Sequence, residues 1–225
     1  MKKILILIFA LFSSNVLAHM DHYKNYNKIE MDIFRNGELI GYNYYFFTRK
    51  GNETLVTNQI KFSVKILGAT IFQIEGYGEE KYLKDQLISY RSKTLQNNKE
   101  KFVNLIFNKD KNKFDIKGSS YSGEASINNI IGNWWNHKIL QADSQVSPIS
   151  GSIKEQVVTF VGKEKIEQFG KNYEVDRFKL TSKDMSLPKD KLLDFDIWFD
   201  KKSSMIIRVS YSRMGNWEYR LKNFE

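Results

Sequence analysis

The chain has no cysteine, two prolines and three histidines in 225 residues. Without cysteine no disulfide can staple the fold, no thiolate can act as nucleophile or metal ligand, and no lipid-bearing cysteine can tether the protein. Burial alone must hold it together. The prolines, Pro148 and Pro188, fall between apolar runs, where they cost no ladder hydrogen bond. No apolar run reaches the roughly 20 residues that a membrane-spanning helix needs. No serine sits in a G-x-S-x-G elbow, and the sparse Gly76-Tyr77-Gly78 is no phosphate loop. These absences leave no cofactor motif, no metal site of any strength and no catalytic signature. Nucleic acid is not expected as a partner, because the basic residues form no helical stripe.

What is present begins with an address. Met1-Lys2-Lys3 is basic, Ile4 to Phe12 is unbroken and apolar, and Val16-Leu17-Ala18 places small side chains at a cleavage site. This is the three-part pattern of a secretory signal peptide. Residues 1–18 are expected to leave, and residues 19–225 to form one β-rich domain, released in soluble form into a periplasm or outside the cell. The whole chain carries a formal charge of +9, two of it on Lys2 and Lys3. A positive surface favours anionic partners such as lipid headgroups or acidic polymers. The lysines are interspersed with Asp and Glu, so the charge alone marks no site.

Period-two alternation then runs from end to end. Ile60, Phe62, Val64 and Ile66 alternate with polar residues. So do Leu193 to Phe199, Met205 to Tyr211, and Trp217, Tyr219 and Leu221. Tyr42 to Phe47 is aromatic on both faces, which suggests a strand covered on both sides. Asn36-Gly37, Gly51-Asn52, Asn97-Asn98, Lys109 to Asn112, Lys201 to Ser204 and Gly215-Asn216 punctuate the runs as turns. The reading is all-β, an antiparallel meander of about eleven or twelve strands. So many one-sided strands must curl on themselves, as a curved sheet or half-open barrel.

One segment breaks the pattern. Ser126 to Ala142 places Ile127, Ile130, Ile131, Trp134, Trp135 and Ile139 at helical spacings, weakened by Gly132 and several asparagines. A short helix over about Trp134 to Leu140 is expected to plug one mouth of the curved sheet. Trp134, Trp135, Asn136 and His137 are the candidate ligand-binding residues. The tandem tryptophans could line a cavity, or could simply fill the core. His137 has no nucleophile or orienting carboxylate in sight, so a polar tip on the helix explains it more simply than catalysis. His19, as a new N-terminus, could chelate copper with His22, but no third ligand is evident and termini usually fray. Asp194, Asp196 and Asp200 alternate along a strand, as carboxylates on a wet face ordinarily do.

The chain resembles a family of uncharacterised exported bacterial proteins known as a domain of unknown function. The marks are Asn36-Gly37-Glu38-Leu39-Ile40-Gly41, Glu80-Lys81-Tyr82 before Leu87-Ile88-Ser89, Trp135-Asn136, and Ile197-Trp198-Phe199-Asp200. The strand-rich build and the early hairpin are also similar to the outer-membrane lipoprotein carriers. That likeness is architectural, and implies an incomplete barrel that could hold an acyl chain. The expectation is an exported, non-catalytic envelope protein that binds a lipid, an anionic amphiphile or another apolar ligand in the concavity of its sheet. A packed barrel acting as a structural module, with an envelope protein as partner, is the alternative. An enzyme acting on an envelope glycan or lipid comes third.

Overall fold

The computed structural model describes residues 19–225; the expected signal peptide lies outside them. A 3-10 turn (His19–Tyr23) leads into a first run of eight strands: β1 (Lys28–Arg35), β2 (Glu38–Lys50), β3 (Glu53–Ile66), β4 (Ala69–Leu83), β5 (Gln86–Gln96), β6 (Lys99–Asn108), β7 (Lys113–Gly118) and β8 (Ser122–Ser126). A linking segment holds β9 (Ile130–Ile131), a 3-10 turn (His137–Leu140) and β10 (Ser144–Val146). The chain then returns through β11 (Ile153–Gln168), β12 (Lys171–Ser182), β13 (Asp194–Asp200), β14 (Met205–Ser212) and β15 (Asn216–Phe224).

All fifteen strands belong to one sheet, in the order β8 through β1, then β15 back through β9. Every pairing is antiparallel except β9 with β10. The centre is β1, which takes β2 on one side and β15 on the other. The sheet is not closed, since β8 and β9 are its two edges. It curls around the linking segment. The Tyr90 and Ser92 hydroxyls donate to the Pro148 carbonyl at 2.9 and 2.7 Å, and the Ser120 N–H donates to the Ser150 carbonyl. The linking segment thus occupies the concave face that an open sheet would leave wet.

The all-β reading holds, with three differences. There are fifteen strands, because β8, β9 and β10 are too short to show alternation. The expected helix is only the turn His137–Leu140. Asparagine side chains take over local backbone groups there: Asn129 Nδ2 donates to the Ser126 carbonyl, and Asn136 Oδ1 accepts from the Lys138 N–H at 3.0 Å. Such bonds compete with helix, and Ile130-Ile131 is used as a strand instead. Nor is β2 covered on both sides. Asn43, Tyr45 and Phe47 are buried, whereas Tyr42 and Tyr44 stack on the outer face at 4.6 Å, half-exposed. The stem of Lys28, with its ammonium 5.4 Å from the Tyr44 ring, does part of the covering.

Local chemistry fixes the register. Asn36-Gly37 makes the β1–β2 turn with both φ angles positive (51° and 83°), which side chains other than Asn and Gly rarely adopt. A Cβ on Gly41 would lie 2.1 Å from the Lys61 carbonyl oxygen, so only glycine lets β2 cross β3 there. The β3–β4 hairpin is left projecting. Its last rung to β2 is Phe62 with Gly41, and its last rung to β5 is Ile74 with Gln96. Elsewhere a side chain extends the ladder. Beyond Arg208 opposite Arg220 the β14–β15 pairing stops, and Gln168 Nε2 donates to the Ile207 and Leu221 carbonyls at 2.9 and 2.8 Å.

The meander gives the roll two distinct ends. One carries the turns at 36–37, 66–69, 97–98 and 213–215, together with the loop 183–193. The opposite end carries the turns at 51–52, 84–85, 109–112 and 201–204. The main core lies toward the opposite end, around Trp135, Tyr23 and Phe47; a smaller cluster of Ile33, Phe62, Val64, Ile74 and Trp217 lies toward the first.

Candidate ligand cavity

The inside of the roll is filled unequally. Trp135 is almost wholly buried, with Tyr23, Phe47 and Tyr82 standing edge-on to it at 5.1, 5.3 and 5.9 Å. Its neighbour Trp134 faces the other way, against Phe195 at 5.1 Å and Tyr219 at 6.2 Å. On that side a cavity of about 550 Å³ separates β2–β5 from β13–β15. Its size is that of an ordinary small-molecule site.

One wall is polar. Asn58 Nδ2 donates to Asn43 Oδ1 at 2.5 Å, Asn43 Nδ2 donates to the Tyr45 hydroxyl at 2.7 Å, and the Trp134 N–H donates to the same hydroxyl at 3.2 Å. Gly76 and Gly78 keep this wall hollow. A Cβ at either would stand 3.0 Å from the Thr94 hydroxyl or the Tyr90 hydroxyl. The facing wall is aromatic and apolar, with Phe195, Leu193, Tyr211 and Tyr219. The Tyr211 and Tyr219 hydroxyls have no hydrogen-bond partner among the described residues. Burial pushes the Tyr219 phenol up to about 12 and the Tyr211 phenol higher still, so both remain donors. Buried hydroxyls without a protein partner usually meet water or a ligand.

Cations gather where the cavity meets the loop 183–193. Lys154, Lys189, Lys191 and Arg213 all line it, and none forms an ion pair among the described residues. Lys154 Nζ donates to the Lys191 carbonyl at 3.0 Å, and Arg213 donates to the Leu192 carbonyl at 2.9 Å. Burial, then the charges of Arg213 and Lys191, hold the Lys154 ammonium below its usual range. An anion at this rim would relieve that crowding.

Behind Trp135 sits a carboxylate that alternation along β4 places on the dry face. Glu80 is buried and accepts three hydrogen bonds: from the Tyr82 hydroxyl at 2.6 Å, Asn133 Nδ2 at 2.6 Å and Trp135 Nε1 at 2.8 Å. Burial pushes its carboxyl up, against the pull of those three donors. Glu80 therefore ties β4 to the linking segment through Asn133, which lines the cavity, and Trp135, which does not.

The four residues expected to act together are thus spread over three surroundings. Trp134 lines the cavity and Trp135 belongs to the packed end. Asn136 is buried and caps the following turn. His137 accompanies Tyr23, whose hydroxyl is 2.6 Å from Nδ1, with the Phe199 and His22 rings at 5.3 and 5.2 Å. The His137 imidazole is pushed down to about 4, first by burial and then by the nearby His22. Its ordinary value is about 6.5. Between these values the unfolded chain takes up a proton that the folded chain refuses, so stability falls as the pH drops from about 6.5 to about 4. For a partly exposed ring the loss should be about 2–3 kcal/mol. Urea titrations at pH 7 and pH 4.5 should show a smaller loss in His137→Asn than in the wild type; equal losses would mean that His137 is not the responsible group.

Of the three aspartates of β13, Asp194 and Asp196 do the work of a wet face, whereas Asp200, beyond a register shift at Trp198–Phe199, is buried. Asp194 and Asp196 pair with Lys179 at 2.6 and 2.9 Å, Asp196 also with Arg177, and Asp200 caps the turn at Lys202-Ser203. Among the described residues no group of three or more His, Asp or Glu could hold a metal ion. No described helix is long and apolar enough to cross a membrane.

The model of a domain of unknown function, DUF6134, matches residues 31–222, which is nearly all of the sheet. The chain belongs to the DUF6134 family. Among curated proteins none matches it. Two solved structures are similar over most of their length. One is a protein from Bacteroides fragilis NCTC 9343 described as exported and of YmcC-like fold. It shares 9% identity at a TM-score of 0.37, over 88% of this chain and 94% of that one. The other is a DUF1329 family protein from Desulfovibrio piger ATCC 29098. It shares 10% identity at a TM-score of 0.23, over 92% and 88%.

In this DUF6134 protein the features of the candidate site that sequence reasoning missed are Glu80, the Asn43–Tyr45–Asn58 chain and the phenols of Tyr211 and Tyr219. Glu80 was open to detection: Ile74, Gly76, Gly78, Glu80 and Tyr82 share one face of β4, so a charge stands in a dry row. The cationic rim was not, because Lys154 and Arg213 are far apart in sequence.

Proposed function

We propose that this DUF6134 protein is a non-catalytic binding protein of the bacterial envelope that holds an anionic amphiphile in the cavity beside Trp134. In this reading residues 1–18 are a signal peptide and the chain from His19 works as one β-rich domain in the periplasm. The carrying observation is the combination at one cavity: unpartnered phenols inside, an apolar wall, and four unpaired cations at the rim. The apolar part of the ligand would lie against Phe195, Leu193 and Trp134. Its anionic group would meet Lys191 and Arg213. Trp135, Asn136 and His137 would support the site from the packed side.

The test is a titration with a fluorescent fatty acid, with native mass spectrometry of the same mixture. One equivalent should bind, and Lys191→Gln with Arg213→Gln should weaken it by about tenfold, in keeping with the loss of charge-assisted bonds. A neutral analogue of equal chain length should bind less tightly and be indifferent to those changes. If no single-chain amphiphile binds, the cavity is not a lipid site and the packed interaction module takes its place.

A further inference from the structure

The two ends of the roll differ in the apolar residues that their turns expose. At the opposite end the turns are polar: Gly51-Asn52, Lys84-Asp85, Asp110-Lys111-Asn112 and Lys201-Lys202-Ser203. Two lysines there are paired, Lys201 with Asp176 at 2.7 Å and Lys111 with Glu124 at 2.7 Å, while Lys84 and Lys202 form no ion pair among the described residues. At the cavity end Asn36-Gly37 and Asn97-Asn98 are polar too, but three other tips there are apolar. Leu67 is fully exposed, Met214 is 83% exposed and Met185 62%.

Two of these residues also sit where their type is disfavoured. Leu67 and Met214 have φ angles of 48° and 52°. Other turns of this sheet place Asn36, Asn97, Asn98 or Asn112 in that region, as local sterics favour, or else Lys84, Phe169 or Ser204. A leucine there gains no contact within the protein to offset its backbone cost. Leu67 tips the β3–β4 hairpin, which outruns both neighbouring strands. Met214 is tied to the same rim, since Arg35 donates to its carbonyl and Asn216 donates to Asn36 Oδ1.

Beside these tips stand Lys65, Lys189, Lys191 and Arg213, none of them in an ion pair among the described residues. Of the carboxylates on the same loop, Asp184 is taken up by the N–H and hydroxyl of Ser186, and Asp190 forms no ion pair among the described residues but lies near enough to Lys154 to favour its charge. Apolar tips ringed by free cations match the two layers of an anionic membrane surface, acyl boundary below and headgroups above. A protein partner could cover the apolar tips, but it would have to bring acidic groups to every flank of three separate turns.

We propose that the turn tips Leu67, Met214 and Met185, with the surrounding lysines and Arg213, dock this end of the roll onto an anionic phospholipid surface, so that the cavity opens toward the bilayer. The proposal deepens the reading of the cavity as a lipid site. It rests on that reading for what is carried but not for the docking itself.

Docking is measured by co-sedimentation with vesicles of neutral phospholipid alone and with about a third anionic phospholipid. The wild type should partition onto the anionic vesicles and much less onto neutral ones, and lose part of the binding in high salt. Leu67→Asn and Met214→Asn keep a residue suited to the left-handed turn, so melting should be unchanged or higher. Each should weaken partitioning by about tenfold, the worth of one buried apolar side chain. Lys65→Gln and Lys189→Gln should flatten the salt dependence while leaving binding to neutral vesicles as it was. Wild-type protein that ignores anionic vesicles overturns the proposal. So do asparagine variants that partition like the wild type, or variants whose only change is from dimer to monomer, which would make the rim an interface between copies. Titration of a soluble short-chain fatty acid separates the two readings. If it still fills the cavity while docking fails, only the docking is wrong; if docking stands while the cavity stays empty, only the cavity reading is wrong.

Discussion

Glu80→Ala should lower stability by about 3–5 kcal/mol, one of the largest effects of any single substitution in the chain. The carboxylate satisfies three donors that reach it from two parts of the fold: Tyr82 on its own strand, and Asn133 and Trp135 on the linking segment. Truncation leaves those donors buried without a partner, each at about 1–3 kcal/mol, offset in part by removing a desolvated acid. It also cuts the tie between β4 and the segment that fills the roll. Urea unfolding at pH 7 measures the loss.

Glu80→Gln separates the bonds from the charge. Asn133 and Trp135 share Oε1, so one amide oxygen can serve both, and the amide N–H₂ can donate to the Tyr82 hydroxyl. The cost should be about 1 kcal/mol or less. It should also vary with pH. Burial raises the Glu80 carboxyl, so this group's own contribution to stability is present in acid and is lost as the pH rises through the folded value. Glutamine cannot titrate. Relative to the wild type, Glu80→Gln should therefore improve between pH 4 and pH 8. A difference that is flat with pH, or a glutamine variant as unstable as alanine, would show that the carboxylate is not held as described.

The strands and turns were legible because they depend on neighbours in sequence. Ile60 to Ile66 alternates, Asn36-Gly37 demands a tight turn, and both are where the pattern puts them. The linking segment was not, because two local signals conflict there. Its isoleucines and tryptophans have helical spacing, yet its asparagines bond to the backbone and Ile130-Ile131 pairs with β10. The tertiary partners decide, and they lie far away: Trp134 N–H meets Tyr45, and Trp135 meets Glu80. The candidate site was half legible for the same reason. Trp134 was found by composition, whereas its companions Asn43, Asn58 and Tyr219 are ordinary strand residues until the sheet curls.

The adjacent tryptophans should behave as different kinds of residue. Trp135→Ala should cost about 3–5 kcal/mol, as removal of a buried aromatic does. It forfeits the edge contacts with Tyr23, Phe47 and Tyr82 and leaves Glu80 short of a donor. Trp134→Ala should cost less, about 1–2 kcal/mol, because that ring lines the cavity and makes ring contacts only with Phe195 and Tyr219. The order reverses for binding. Trp134→Ala widens the cavity and removes part of the apolar wall, so the fluorescent fatty acid should bind about tenfold more weakly. Trp135→Ala should leave the affinity of the folded fraction within a few-fold of the wild type, since its ring does not reach the cavity. Melting curves and titrations on the same two variants decide it. Equal melting losses would mean that the residues share one core, and an affinity that follows stability rather than Trp134 would remove the cavity from any role in binding.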